Sequence, residues 1–374
     1  MKKEFDLKNL SKKKWERFNF NQIALKISET ISPENASVKT YVGLEHLDRE
    51  SIHIRRHGSP DDVKGNKLRC YSGDVIFGKR RAYQRKAAIV NFDGICSAHA
   101  FVFRANEEVI DPKIFPFFLH SDSFMHRMVD ISVGGLSPTI NWGDLKNQEF
   151  LLPPKNDQRK FAKLLWVVDD YITKQLILKN NLRSLLYALV RDLYTFNKKT
   201  ISIEECILEN KNEKVSEGHS PYVEIGDINL SNKLINFKKK KSVKGALLAK
   251  KGSIIISNVR PNRGAITILE NDQVISSGFT ILYPNNDLLT KDFLFHFLAW
   301  NNNFAESMSR VSSGTAYPTI TDKDVKNFKI PFLNISEQKA FCLKLNNIYN
   351  AMLNSEGLMD KTKNLNKLII NSIF

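Results

Sequence analysis

Short apolar runs separated by turn residues fill residues 1 to about 150, and the same order of runs returns from 200 to about 333. In the first block Tyr41-Val42-Gly43-Leu44, Asp74-Val75-Ile76-Phe77 and Ala100-Phe101-Val102-Phe103 predict strands, and Ile114 to Val129 predicts a short helix. In the second, Tyr222-Val223-Glu224-Ile225, Gly252-Ser253-Ile254-Ile255-Ile256 and Phe279-Thr280-Ile281-Leu282 predict strands, and Phe293 to Met308 predicts the helix. Each block reads as an α+β domain. A long helical pattern follows each block. The first comes after Pro153-Pro154, starts near Asn156 or Asp157 and runs to about Phe196. The second starts at Ser336 and runs to Phe374, with Glu337 in the first turn, where the helix dipole favours a carboxylate.

Both long patterns repeat every 3.5 residues. In the first the stripe is Phe161, Leu165, Val168, Ile172, Gln175, Lys179, Leu182, Leu186, Leu189 and Leu193. In the second it is Phe341, Leu345, Ile348, Met352, Ser355, Met359, Thr362, Asn366, Ile369 and Ile373. Equal period and length predict that the two helices share one coiled-coil seam. The alternative is two ordinary amphipathic helices, each lying on its own domain. The second stripe weakens late, where Leu358, Leu365 and Leu368 offer a rotated face. About 40 residues at about 1.5 Å each make a rod of about 60 Å. The connections leave opposite ends of the first helix, so a mutual pair is antiparallel and relates the halves by an approximate two-fold. The expected organisation is a first α+β domain over 1–154, a long helix over 155–197, a second domain over 198–334 and a second long helix over 335–374.

The duplication extends to short motifs. Gly134-Gly135-Leu136-Ser137-Pro138-Thr139-Ile140 is echoed by Ser313-Gly314-Thr315-Ala316-Tyr317-Pro318-Thr319-Ile320, and Asp157-Gln158-Arg159-Lys160-Phe161 by Glu337-Gln338-Lys339-Ala340-Phe341. Pro138 to Pro318 and Phe161 to Phe341 are the same step, close to half of the 374 residues. Two similar halves present two similar surfaces, which suits a two-part ligand.

The net charge of +16 favours a polyanionic partner, a nucleic acid or an acidic membrane face, although a lysine-rich proteome alone also raises it. At 42% hydrophobic the chain can bury real cores. Cys70, Cys96, Cys206 and Cys342 are scattered without CxxC or zinc spacing, which suits reduced thiols in the cytoplasm. Met1-Lys2-Lys3-Glu4 opens no secretory signal, and no run of about 18 apolar residues spans a membrane.

With these motifs in this order, Leu136 to Ile140, Phe150 to Gln158, Tyr317 to Ile320 and Ile330 to Gln338, the chain resembles the specificity subunit of Type I restriction-modification systems. The resemblance covers nearly the whole length. Asp157-Gln158 departs mildly from the more usual Glu-Gln. The resemblance implies two target-recognition domains separated by two long antiparallel coiled-coil helices, each domain reading one half of a bipartite site on double-stranded DNA. It implies assembly with two modification (methyltransferase) subunits and with restriction subunits, in defence against phage. S-adenosylmethionine, Mg2+ and ATP are then expected on those partners, with no cofactor on this chain. The bases read do not carry over.

Candidate contacts follow from side-chain chemistry, since cations position on phosphates while Arg and Gln or Asn grip guanine and adenine edges. Lys79, Arg80, Arg81, Tyr83, Gln84, Arg85 and Lys86 follow a strand, with five cations in eight residues. The corresponding segment offers Asn258, Arg260, Asn262 and Arg263. A solvated basic hairpin, or a turn closed by Pro261-Asn262, is the plainer reading of each. Lys238 to Lys241 and Arg55-Arg56-His57 read as solvated charge that at most touches phosphate. The glycine segments read first as loops that turn tightly before the last strand, and second as amides approaching phosphate. Trp142 reads as packing.

No GxxxxGK[ST] loop and no Asn/Asp-Pro-Pro-Tyr/Phe methyltransferase signature appears. Pro60-Asp61-Asp62-Val63-Lys64 compresses nuclease-like elements into one turn, too short for separated carboxylates to converge on a metal. The expectation is a non-catalytic subunit. The competing classes are a stand-alone nuclease or methyltransferase, and a basic coiled-coil adaptor binding DNA without sequence preference.

Overall fold

The computed structural model describes residues 10–196, 199–209, 213–314 and 316–374. Met1 to Glu4, the 197/198 boundary and Thr315, all used above, lie outside them. The chain forms two compact units, Met1–Thr173 with Met359–Phe374, and Lys174–Leu358.

In the first unit an antiparallel sheet runs in the order Ala24–Ile27, Ala100–Ala105, Val75–Gly78, Ala87–Ile89. A second sheet runs Thr30–Ile31, Lys67–Cys70, Gly94–Cys96, Tyr41–Val42, its last pair parallel. The second unit repeats the plan. Ile266–Ile268, Ile254–Ser257 and Phe279–Leu282 form one sheet, and Glu213–Lys214, Leu247–Ala249, Gln273–Ile275 and Tyr222–Val223 the other, again ending in a parallel pair. Apolar positions face inward: Phe77, Phe103, Ile254 and Leu282 are completely or almost completely buried. Each full burial of such a side chain stabilises by about 1.5–3 kcal/mol.

The strands expected over Tyr41 to Leu44 and Tyr222 to Ile225 stop after two residues. Gly43 N–H donates to the His46 ring at 3.0 Å, and Glu224 opens a tight turn in which its N–H donates to Asp227 at 3.0 Å. The single helix expected in each block is two. Phe115–Phe118 is followed by Asp122–Asp130, and Lys291–Ala299 by Asn302–Val311. The break falls at Ser121 and at Asn301, whose extended backbones and side-chain oxygens cap the second helix of each pair.

Helix α1, Lys155–Phe196, and helix α2, Ile335–Ile373, are continuous. Each is preceded by a short strand. Glu149–Leu152 pairs antiparallel with Glu16–Asn19, and Lys329–Pro331 with Thr200–Ser202. In the first unit Phe161, Ala162 and Leu165 share a core with Ile369, Ile370 and Ile373. In the second, Leu186 and Val190 share one with Leu345 and Met352. Every member of both stripes is buried or half-buried, including the polar ones. Lys179 pairs with Glu356 at 2.7 Å, and Ser355 donates to Gln175 at 2.9 Å. Leu358, Leu365 and Leu368 are exposed, so the late part of the second stripe is not replaced by a rotated face.

The glutamine of the duplicated Asp/Glu-Gln pair ties each long helix to its domain. Gln158 Oε1 accepts from Asp111 N–H at 2.7 Å, and its amide donates to the Val109 and Pro153 carbonyls. Gln338 repeats this with Thr290 N–H at 2.8 Å and the carbonyls of Leu288 and Leu333.

Candidate nucleic-acid interface

Strand Val75–Gly78 delivers the backbone to Lys79, where the chain meets the segment that precedes α1. Ile140 N–H donates to the Lys79 carbonyl at 3.0 Å, and Arg81 N–H donates to the Pro138 carbonyl at 2.8 Å. In the second unit Ile320 N–H donates to the Asn258 carbonyl at 2.9 Å, and Arg260 N–H to the Pro318 carbonyl at 2.7 Å. The basic turn and the glycine loop, separate in sequence, are therefore one structure built twice. Val133 and Thr139 close the first glycine loop by reciprocal backbone bonds, as Ser313 and Thr319 close the second. Gly134 and Gly314 sit at φ 112° and 93°, where an L side chain is strained, which favours the turn reading of these loops.

Arg81 and Arg260 also occupy left-handed backbone, φ 54° and 51°, without being glycine. Such residues gather where the surroundings over-determine the backbone, often at functional sites. From there Arg81 Nε donates to the Ser137 hydroxyl at 3.0 Å. Arg260 reaches the Ala316 carbonyl at 3.3 Å and lies 4.6 Å from the Tyr317 ring centroid, in the geometry of a cation–π contact. Tyr317 is 67% exposed and Tyr83 56%, so both rings reach solvent. Arg81, Asn262 and Arg263 are exposed, while Arg80 and Gln84 are half-buried.

Not every cation of the first turn points outward. Arg85 is turned inward: its guanidinium lies 2.6 Å from Asp122 and donates to the His120 carbonyl at 2.8 Å. Burial pushes the Asp122 carboxyl up, but Arg85, Lys367 and Asn371 together hold it below its ordinary range. Lys86 is half-buried and donates to the Leu44 carbonyl, and burial lowers its pKa. Lys79 lies over the Phe101 ring at 5.3 Å, lowered first by burial and then by Lys26. Asn258 is half-buried, its side-chain oxygen 2.6 Å from the Thr280 hydroxyl. The residues best placed to reach a ligand are therefore Arg81, Tyr83, Arg260, Asn262 and Arg263. Ser137 and Tyr317, to which the sequence assigned no role, join them. Their signal was the common step between the duplicated motifs.

The other charged segments have internal work. Lys238 lies 3.1 Å from the buried Asp227, and Lys240 reaches both Asp227 and Glu224. Arg56 pairs with Asp48 at 2.6 Å. In the Pro60–Asp62 turn both carboxylates cap Ser59. Trp142 packs near Phe20, Phe101 and Phe103. All four cysteines are buried and free. Among the described residues no helix is long and apolar enough to cross a membrane.

A duplicated α+β protein with the same surface turn built into each half, each half followed by a long helix, is the class these observations define. A family model described as the Type I restriction modification DNA specificity domain matches residues 62–181 and again 190–361. The chain belongs to that family, and it is a DNA specificity subunit rather than an enzyme in its own right. It is 23% identical over 345 residues to a candidate type I restriction enzyme specificity subunit, MjaX, of Methanocaldococcus jannaschii, covering 81% of this chain and 78% of that protein. Two solved structures share the fold. A Type-I restriction-modification system S subunit from M. genitalium aligns with TM-score 0.59 at 15% identity, over 98% of this chain and 96% of that one. A chain from a study of assembly and conformational transition of the type I R-M system aligns with TM-score 0.55 at 20% identity, over 96% and 97%.

Proposed function

We propose that the two halves read the two parts of a split site on double-stranded DNA, one surface turn per half-site. The observation that carries this reading is the pair of equivalent corners, Arg81 on Pro138 and Arg260 on Pro318. Their equality of build and difference of side chain suit one mode of docking applied to two different base sequences. Arg81 and Arg263 are the candidates for guanine edges, and Asn262 for adenine. Arg260, already against Tyr317, and the half-buried Lys79, Arg80 and Gln84 serve as supporting or phosphate contacts.

The long helices form the antiparallel spacer. The core shared by the start of α1 with the end of α2, and that shared by the end of α1 with the first half of α2, support this direction. Exposed Ile177, Leu178 and Leu185 on the part of α1 within the second unit give a modification subunit an apolar surface on which to dock. Methyl transfer, with S-adenosylmethionine, resides on the modification subunits, and Mg2+- and ATP-dependent cleavage on restriction subunits, all in the cytoplasm. Co-expression with the methyltransferase partner, followed by sequencing of modified bases, tests the reading. A split motif is the expected result; a single undivided motif, or methyl transfer by the purified chain alone, overturns it.

A further inference from the structure

The second recognition turn is held from behind by a buried lysine. Lys233 is 3% exposed, and its ammonium donates to the Gly264 carbonyl at 2.8 Å and lies 5.4 Å from the Trp300 ring centroid. Gly264 ends the turn Pro261–Arg263, so that carbonyl belongs to the segment presenting Arg260, Asn262 and Arg263. An ammonium loses its hydration when buried against a carbonyl and a ring, a cost that an apolar side chain there would not carry. Packing alone gives no reason for a lysine at this position.

Lys233 sits at φ 63° in a tight hairpin, with Ile228 bridged to Ile235 and Lys233 N–H donating to the Asn229 carbonyl at 2.7 Å. Both long helices grip this hairpin. The Tyr349 hydroxyl donates to the Asn232 carbonyl at 2.6 Å, Asn232 Nδ2 donates to Glu356 at 2.9 Å, and Arg183 reaches Ser231 at 3.4 Å. A continuous line of contacts thus runs from the helices through Lys233 to the turn.

The first unit meets the same need differently. The equivalent carbonyl, that of Arg85, accepts from Glu50 N–H at 3.0 Å. Arg85 itself is clamped to Asp122, which Asn371 of α2 binds at 2.6 Å. Both turns are therefore anchored to the long helices, one through Arg85 and Asp122, the other through Lys233.

We propose that Lys233 is a positioning residue for recognition of the second half-site, fixing the turn that carries Arg260, Asn262 and Arg263 through the Gly264 carbonyl. This rests on the two-reader function proposed above. Burial and then the charge of Arg183 bring the pKa of Lys233 down to about 8. Tyr349, raised by burial, stays neutral over the same range. The strength of the tie therefore falls as pH rises through 8.

The test uses the full chain with its methyltransferase partners and compares wild type, Lys233→Met and Lys233→Gln. Discrimination against substituted bases is scored separately in each half-site. With Met we expect discrimination at the second half-site to fall about tenfold and the first to stay unchanged. With Gln, whose amide can donate to the same carbonyl, we expect recovery to within about threefold of wild type. Between pH 7 and 9 the wild type should lose discrimination at the second half-site while the Gln variant stays flat. No change with Met, equal loss in both halves, or matching pH profiles for wild type and Gln each overturn the proposal. Should the Met variant fail to fold, the wild-type and Gln profiles decide. Absence of a split motif in the wild type would instead remove the two-reader function, a result visible before any variant is made.

Discussion

Arg81 donates to the Ser137 hydroxyl at 3.0 Å across a gap of more than fifty residues, joining the basic turn of the first half to its glycine loop. Because Arg81 is exposed and its backbone is held separately by Pro138, its side chain can be removed without dismantling the corner. Arg81→Ala should cost about 1–3 kcal/mol of discrimination in the first half-site and leave the second intact. Arg263→Ala should do the reverse. Competition binding with oligonucleotides substituted in one half at a time checks both. Equal weakening on all sequences would mark a phosphate contact instead.

Arg85→Ala should behave differently from its neighbour Arg81. It takes the closest cation from the half-buried Asp122 and leaves Asn371 and the more distant Lys367, so folding stability should fall by about 1 kcal/mol in urea titration. The pH dependence has a definite sign. The folded-state pKa of Asp122 is depressed, so its contribution is present above the unfolded value of about 3.9 and lost as pH falls through the folded value. The wild type should therefore lose more stability than Arg85→Ala on acidification.

Gln158→Leu leaves Asp111 N–H and two carbonyls without their partner, as Gln338→Leu does for Thr290 N–H and its two carbonyls. Each should lower stability by about 2–4 kcal/mol, read from denaturant midpoints. Glu in place of Gln can accept but not donate, so it should rescue only part of the loss.

Inserting one heptad into both α1 and α2 should lengthen the gap between half-sites by about 10 Å, close to three base pairs, without altering either half-site. A methylome of the inserted chain reads this directly. A changed half-site would argue against a spacer built from these helices.

The linear chain by itself determined the duplication, the two long helices and their stripes, because periodicity is a local property that burial in any packed fold must respect. It marked both basic turns as well, since strand, turn and cation follow one another in sequence. It could not separate Arg81 from Arg85. Four residues apart in one turn, both are cations, and only tertiary packing brings Asp122 and His120 against the second of them. The same holds for Lys233, which has no local pattern and becomes meaningful only when a hairpin carries it beneath Gly264. The helix breaks at Ser121 and Asn301 fell between these cases: both are ordinary capping residues, but each sat inside an apolar run that read as continuous. Side-chain partners distant in sequence decide which charges face a ligand and which hold the fold, and that choice is made only when the backbone closes.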